Sequence, residues 1–151
     1  MTEKEIKISA LKDGTVIDHI PPHCVFDVVD MLKVDDHPDT VSVSTNLESK
    51  QMGKKGIVKV AGKELTKKEV DEIALIAPEA TINIIKNYEV VDKSDVAVPD
   101  ELTNIMHCSN PNCITNKQKM GTAFNVISKD PLKVRCKYCE RVMQTGQFKL
   151  R

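Results

Sequence analysis

The 151-residue chain has no tryptophan, and aromatic residues make up only 3% of it. A nucleic-acid surface built on base stacking is therefore poorly supplied. In the C-terminal third only Phe124, Tyr138 and Phe148 could serve. There is no apolar run long enough to span a bilayer, and no basic segment leading into an apolar one at the N-terminus. Neither a membrane partner nor a secretory leader is expected, so the five cysteines are read in a reducing, cytoplasmic setting. No GxxxxGK[ST] loop occurs; Gly53-Lys54-Lys55-Gly56 is not one. Nor does any nucleophile–base set stand out.

What is present is asymmetric. Formal charge is zero overall, yet residues 1–100 carry 13 lysines against 19 Asp/Glu, and residues 101–151 carry nine Lys/Arg against three. Four of the five cysteines lie in the basic part. Such a split suggests two modules with different partners.

Glu5–Lys12 alternates apolar and polar residues and predicts a strand. Asp13-Gly14 is a turn, and Thr15–Ile20 a second extended piece. Pro21-Pro22 opens a helix in which Val25, Val28, Val29 and Leu32 form one buried stripe. Strands follow at Thr40–Leu47 and Gly56–Ala61, around a polar loop at Lys50–Gly56. Thr66 and Glu69 have capping-box spacing, and Val70, Ile73, Ala74 and Ala77 continue that helix to Pro78. Ala80–Ile85 and Tyr88–Val91 predict strands around Lys86-Asn87, and Asp92–Asp100 a linker. The order β-α-β-β-α-β predicts an α+β fold: a ferredoxin-like sandwich with two helices on one face of an antiparallel sheet.

In the basic part, Cys108 and Cys113 are separated by four residues and Cys136 and Cys139 by two. Two short-spaced pairs on turns can converge on one tetrahedral Zn²⁺. With Thr122–Ser128 and Leu132–Arg135 as strands, this part reads as a small antiparallel zinc ribbon. His107 is a rival ligand, but four cysteines complete the set. Four protein ligands leave no open position, so the zinc is expected to be structural, one ion per chain. A module of about fifty residues with so small a core should fold only with its metal.

GTVIDHIP (Gly14–Pro21), GKKGIVKV (Gly53–Val60), ATINIIKNYEVVDKS (Ala80–Ser94) and CSNPNCITN…CKYCE occur in order over nearly the whole chain. Together they resemble the regulatory chains of aspartate carbamoyltransferase. The resemblance implies a non-catalytic subunit with a nucleotide-binding allosteric domain over residues 1–97. It also implies a zinc domain over residues 102–151 that docks on the catalytic chain. Regulatory dimers would bridge catalytic trimers in the control of pyrimidine biosynthesis. CTP and UTP would inhibit and ATP oppose them, with Mg²⁺ as a candidate accompanying ion. A second, metal-bridged nucleotide site is not placed by these residues. Carried over position by position, Lys59, Lys93 and His19 match phosphate and ribose contacts. Asp18 matches the acceptor for ribose hydroxyls, and Asn83 a polar contact near the phosphates. Ala10, Leu11, Ile85 and Tyr88 match positions whose backbone reads the base, and Ile57 and Val90 its apolar walls.

Other readings stand beside these. Lys59 and Lys93 alone are ordinary solvated lysines, as are Lys54-Lys55 and Lys67-Lys68. Asp18 and His19, as strand neighbours, should face opposite sides and form no acid–base pair. Cys24 reads as a structural thiol, and His23 and His37 as surface residues. A basic zinc ribbon that binds nucleic acid is the alternative function. Four thiolates with one Zn²⁺ lower its local charge from +6 to about +4, so no nucleic-acid partner is expected.

Overall fold

A computed structural model describes residues 11–144, 147, 149 and 150. The chain divides into two compact units, residues 1–97 and 98–151.

In the first unit, β1 (Gly14–Ile20), β2 (Val41–Ser49), β3 (Gly53–Ala61), β4 (Thr81–Lys86) and β5 (Glu89–Asp95) form one sheet in the order β2-β3-β1-β4-β5. Each neighbouring pair in this order is antiparallel. Two helices connect the strands: α1 (Val25–Leu32), entered through a 3₁₀ turn at Pro22–Cys24, and α2 (Lys67–Ile76). This is the ferredoxin-like arrangement with one added edge strand. The predicted strand at Glu5–Lys12 lies outside the described residues up to Ala10, and Leu11 and Lys12 are not in a strand.

Each helix has a local cause. In α1, Val25, Val28 and Leu32 are buried, as the stripe predicts, while Val29 is only half-buried. At α2 the capping box is formed: Thr66 Oγ1 accepts from the Glu69 N–H at 3.2 Å, and Glu69 Oε1 accepts from the Thr66 N–H at 3.0 Å. A Cβ at Gly56 would overlap a methyl of Val25, so the start of α1 lies on the face of β3 that Gly56, Val58 and Val60 share. Ile17, Ile20, Val58, Val60, Val25, Val28 and Ile73 are fully buried there. Among the described residues, the opposite face carries no helix of this unit.

Two strands run further into polar sequence than the alternation suggests. β3 begins at Gly53, inside the predicted loop, and β5 continues to Asp95, inside the predicted linker. Both extensions are held by ladder pairing, Glu48 with Lys54 and Asn83 with Lys93, which needs no apolar side chain. The β4–β5 turn is Asn87-Tyr88, with φ of 55° and 67°, one residue later than predicted. Two consecutive positive φ values suit a two-residue hairpin.

In the second unit, β6 (Glu101–Thr103), β8 (Ala123–Lys129), β9 (Leu132–Cys136) and β10 (Val142–Gln144) form a sheet in the order β10-β9-β8-β6. β7 (Met106–His107) pairs with β11 (Lys149–Leu150), and α3 (Ile114–Lys117) is a single turn. Leu102, Met106, Phe124, Val134 and Met143 are fully buried. Among the described residues no helix is long and apolar enough to cross a membrane.

Candidate metal centre and nucleotide face

The four C-terminal cysteines converge. Their sulfurs all lie within 4.8 Å of one another. Cys108 Sγ is 3.6 Å from Cys139 Sγ, and Cys113 Sγ is 3.8 Å from Cys136 Sγ. Zn–S bonds of about 2.3 Å at tetrahedral angles put sulfurs about 3.8 Å apart, so the cage already has the size of a Zn²⁺ site. His107 is not part of the cluster.

Backbone donors are aimed at the sulfurs. Backbone N–H groups of Asn110, of Tyr138 and Cys139, and of Arg141 point at the sulfurs of Cys108, Cys136 and Cys139 respectively. Asn116 Nδ2 donates to the carbonyls of Cys108 and Asn110 at 2.8 and 2.7 Å and so ties the first knuckle together. Glu140, with φ of 64°, turns the second, and its N–H reaches the Cys136 carbonyl at 2.9 Å. Thr115 Oγ1 lies 3.1 Å from Cys113 Sγ. Without metal, burial pushes the Cys108 thiol up to about 12 and raises Cys136 as well. Burial also works against Cys139, but the Arg141 N–H, Asn110 and the neighbouring thiols outweigh it and hold Cys139 at about 7. A cage that resists holding several protons-free sulfurs on its own, yet aims donors at them, calls for a cation. The residues fit a structural zinc: four thiolates close the coordination shell and leave no place for substrate.

The second constellation lies on the helix-free face of the first unit. Register pairs Ser42 with Lys59, Lys59 with Val16, Val16 with Asn83, and Asn83 with Lys93. One row thus crosses all five strands. Two lysines and an asparagine flank the apolar Val16. Three strand spacings of about 4.8 Å separate the backbones of Lys59 and Lys93 by about 14 Å, and both side chains have long flexible stems. Burial lowers the Lys59 ammonium below its ordinary value. One step along the strands, Val16, Ile57 and Ile85 make a buried apolar cluster, with Leu11 and Leu47 packed on it. Val90 stands opposite Ile85 and is 52% exposed. Tyr88, at 66% exposure, sits in the turn, and its N–H reaches the Lys12 carbonyl at 3.0 Å. Ala10 lies outside the described residues.

Asp18 and His19 stand beside this row. Three steps in β1, from Ile17 to Ile20, match two in β3, from Val58 to Gly56, so β1 carries a bulge. His19 has φ of 58°, its N–H donates to Asp18 Oδ1 at 2.6 Å, and its Nδ1 lies 3.1 Å from Thr81 Oγ1. The strict alternation expected of this pair does not hold: Nδ1 and Oδ1 are 4.0 Å apart. Two residues read as surface groups are engaged. Lys55 Nζ lies 3.0 Å from Asp18 Oδ1, and His37 Nε2 lies 2.6 Å from the Ala61 carbonyl oxygen. Lys55, Val16 and Leu47 were not picked out from the sequence. Lys55 was legible through the period of two that aligns it with Ile57 and Lys59; the other two needed the register.

The comparisons with known proteins agree with this architecture. Residues 6–97 match the family model for the aspartate carbamoyltransferase regulatory chain, allosteric domain. Residues 100–149 match the model for the metal binding domain of the same chain. The chain is 51% identical over 146 residues to the aspartate carbamoyltransferase regulatory chain of Pyrococcus abyssi, covering 95% of this chain and 96% of that one. It is 45% identical over 139 residues to that of Bacteroides fragilis, covering 92% and 91%. Against that of Methanosphaera stadtmanae it is 45% identical over 145 residues, covering 95% of each. A closed four-cysteine cage and a ferredoxin-like unit in one chain, matched along nearly its full length by regulatory chains, place this protein in the family of aspartate carbamoyltransferase regulatory chains, the non-catalytic subunits of that enzyme.

Proposed function

We propose that residues 1–97 bind nucleoside triphosphates on the helix-free face of the sheet. The zinc module, residues 102–151, passes that occupancy to a catalytic chain. The observation that carries the reading is the row Lys59–Val16–Asn83–Lys93 beside the Val16, Ile57 and Ile85 cluster. Cations for phosphates and an apolar bed for a base and sugar lie on one surface. A triphosphate carries about four negative charges, and charge-assisted contacts are the strong ones. Lys59, Lys93, His19 and Asn83 would hold phosphates and ribose, and Asp18 would accept from ribose hydroxyls. Ile57 and Val90 would wall the base, while backbone groups at Ala10, Leu11, Ile85 and Tyr88 read its edge. With no phosphate cradle and no open metal position, binding proceeds without hydrolysis.

CTP and UTP inhibit and ATP opposes them in this reading, with Mg²⁺ accompanying the triphosphates. Opposite effects require that the ligands favour different states of the assembly. A coupling of about 1–3 kcal/mol is the usual allosteric range. Two copies of this chain pair, and the pairs bridge catalytic trimers in the cytoplasm.

Calorimetric titration of the zinc-loaded chain with CTP tests the reading, with a random single-stranded oligonucleotide as control. Saturable CTP binding displaced by ATP, with no oligonucleotide binding, is expected. Salt-sensitive oligonucleotide binding without CTP binding would overturn it in favour of a nucleic-acid-binding zinc ribbon.

A further inference from the structure

Asp18 poses a problem for a polyanion site. A carboxylate suited to ribose hydroxyls repels the phosphates attached to the same sugar. The structure supplies a counter-charge. Lys55 Nζ contacts both carboxylate oxygens, at 3.0 Å from Oδ1 and 3.3 Å from Oδ2. The two side chains are only 19% and 21% exposed, so solvent screens their attraction less than that of a surface pair. Lys55 lies two and four residues before Ile57 and Lys59 in β3, hence on the same helix-free face. It stands opposite Leu47, which packs on the apolar cluster. The His19 N–H takes the remaining side of Oδ1, so the carboxylate is held from two directions.

From this geometry we infer that Lys55 is a positioning residue for Asp18. It neutralises the carboxylate and fixes its orientation, so that Asp18 can receive ribose hydroxyls next to a triphosphate. Its ammonium stays on Asp18 and is not a phosphate ligand. The inference rests on the nucleotide reading of this face and assigns a role to a lysine outside the set named there.

A double-mutant cycle on the zinc-loaded full chain distinguishes the two roles. CTP and cytidine affinities are measured for the wild type, Lys55→Met, Asp18→Asn and the double variant, with Lys55→Arg as the charge-preserving control. Lys55→Met should weaken CTP about tenfold when Asp18 is present, but less than about twofold in the Asp18→Asn background. Its effect on cytidine, which keeps the ribose contact but has no phosphate to repel, should be several-fold smaller than its effect on CTP. Lys55→Arg should bind CTP within about twofold of the wild type. An equal loss of CTP affinity in both backgrounds would make Lys55 a direct phosphate ligand and overturn the inference while leaving the nucleotide reading intact. Loss of affinity in Lys55→Arg as large as in Lys55→Met would also overturn it, since the charge would then be irrelevant. Failure of the wild-type chain itself to bind CTP would overturn the nucleotide reading and the inference with it.

Discussion

Ile17 and Ile20 are both fully buried, although residues three apart in a regular strand face opposite sides. The bulge between them reconciles the two. It inserts one residue into β1, returns Ile20 to the core, and leaves Asp18 and His19 close to each other at the edge of the helix-free face. A local irregularity of one residue thus serves the core and the candidate site together.

Removal of Lys93 should weaken nucleotide binding. Lys93→Ala deletes a charge-assisted contact worth about 1.5–3 kcal/mol, a loss of roughly 10- to 150-fold in CTP affinity. Isothermal titration at fixed ionic strength reads this directly. An unchanged affinity would exclude the β5 end of the row from the site.

The zinc cage should govern its own unit. Cys139→Ser is expected to abolish zinc retention and binding to catalytic trimers while leaving CTP affinity nearly intact. Metal analysis, sedimentation with catalytic trimers and calorimetry check the three parts. The Cys108 thiol near 12 and the raised Cys136 thiol are protonated at neutral pH, so zinc loading should release protons and weaken as pH falls. Titrations in buffers of different ionisation enthalpy count those protons.

Two carboxylates on α2 should give opposite pH dependences. Burial works to raise Glu69, but the Thr66 N–H, Lys63 and Thr66 Oγ1 outweigh it, and its folded value is lowered. Its contribution is present above the ordinary carboxylate range and lost as pH falls through the lowered folded value. Glu72 is raised by burial, opposed by Lys68 and Lys33 and reinforced by Glu69. Its charged form therefore disfavours folding, and stability drops as pH rises from its ordinary value through the raised one. Glu72→Gln should stabilise the chain by about 0.5–2 kcal/mol at neutral pH. Thr66→Ala should destabilise it by about 1 kcal/mol through the lost cap. Thermal unfolding at several pH values tests both.

Gly56→Ala should destabilise the first unit. The added methyl would overlap Val25 Cγ2 at the start of α1, and overpacking of this kind costs about 1–3 kcal/mol. Denaturant unfolding measures it; a neutral result would mean that the first turn of α1 yields readily.

Sequence reading succeeded where a physical period or a fixed spacing existed. Val25, Val28 and Leu32 announced α1, Thr66 and Glu69 announced α2, and the paired cysteines announced the metal cage. It fell short where backbone pairing alone makes the structure. Gly53, Lys54 and Asp92–Asp95 are exposed strand residues and Lys55 is half-buried; none is apolar, so no alternation marks them. The bulge at Asp18-His19 was hidden for a related reason. A period of two cannot show where an extra residue shifts it, and the Lys55–Asp18 contact needs the β1–β3 register as well.

The sheet of the first unit has two unlike edges. β5 presents Glu89, Asp92, Lys93 and Asp95, charges that oppose the addition of another strand. The outer strand at the other end, β2, has no charged residue from Val41 to Leu47. Among the described residues, charge thus guards the β5 edge against a further strand, while β2 carries no such guard before Glu48.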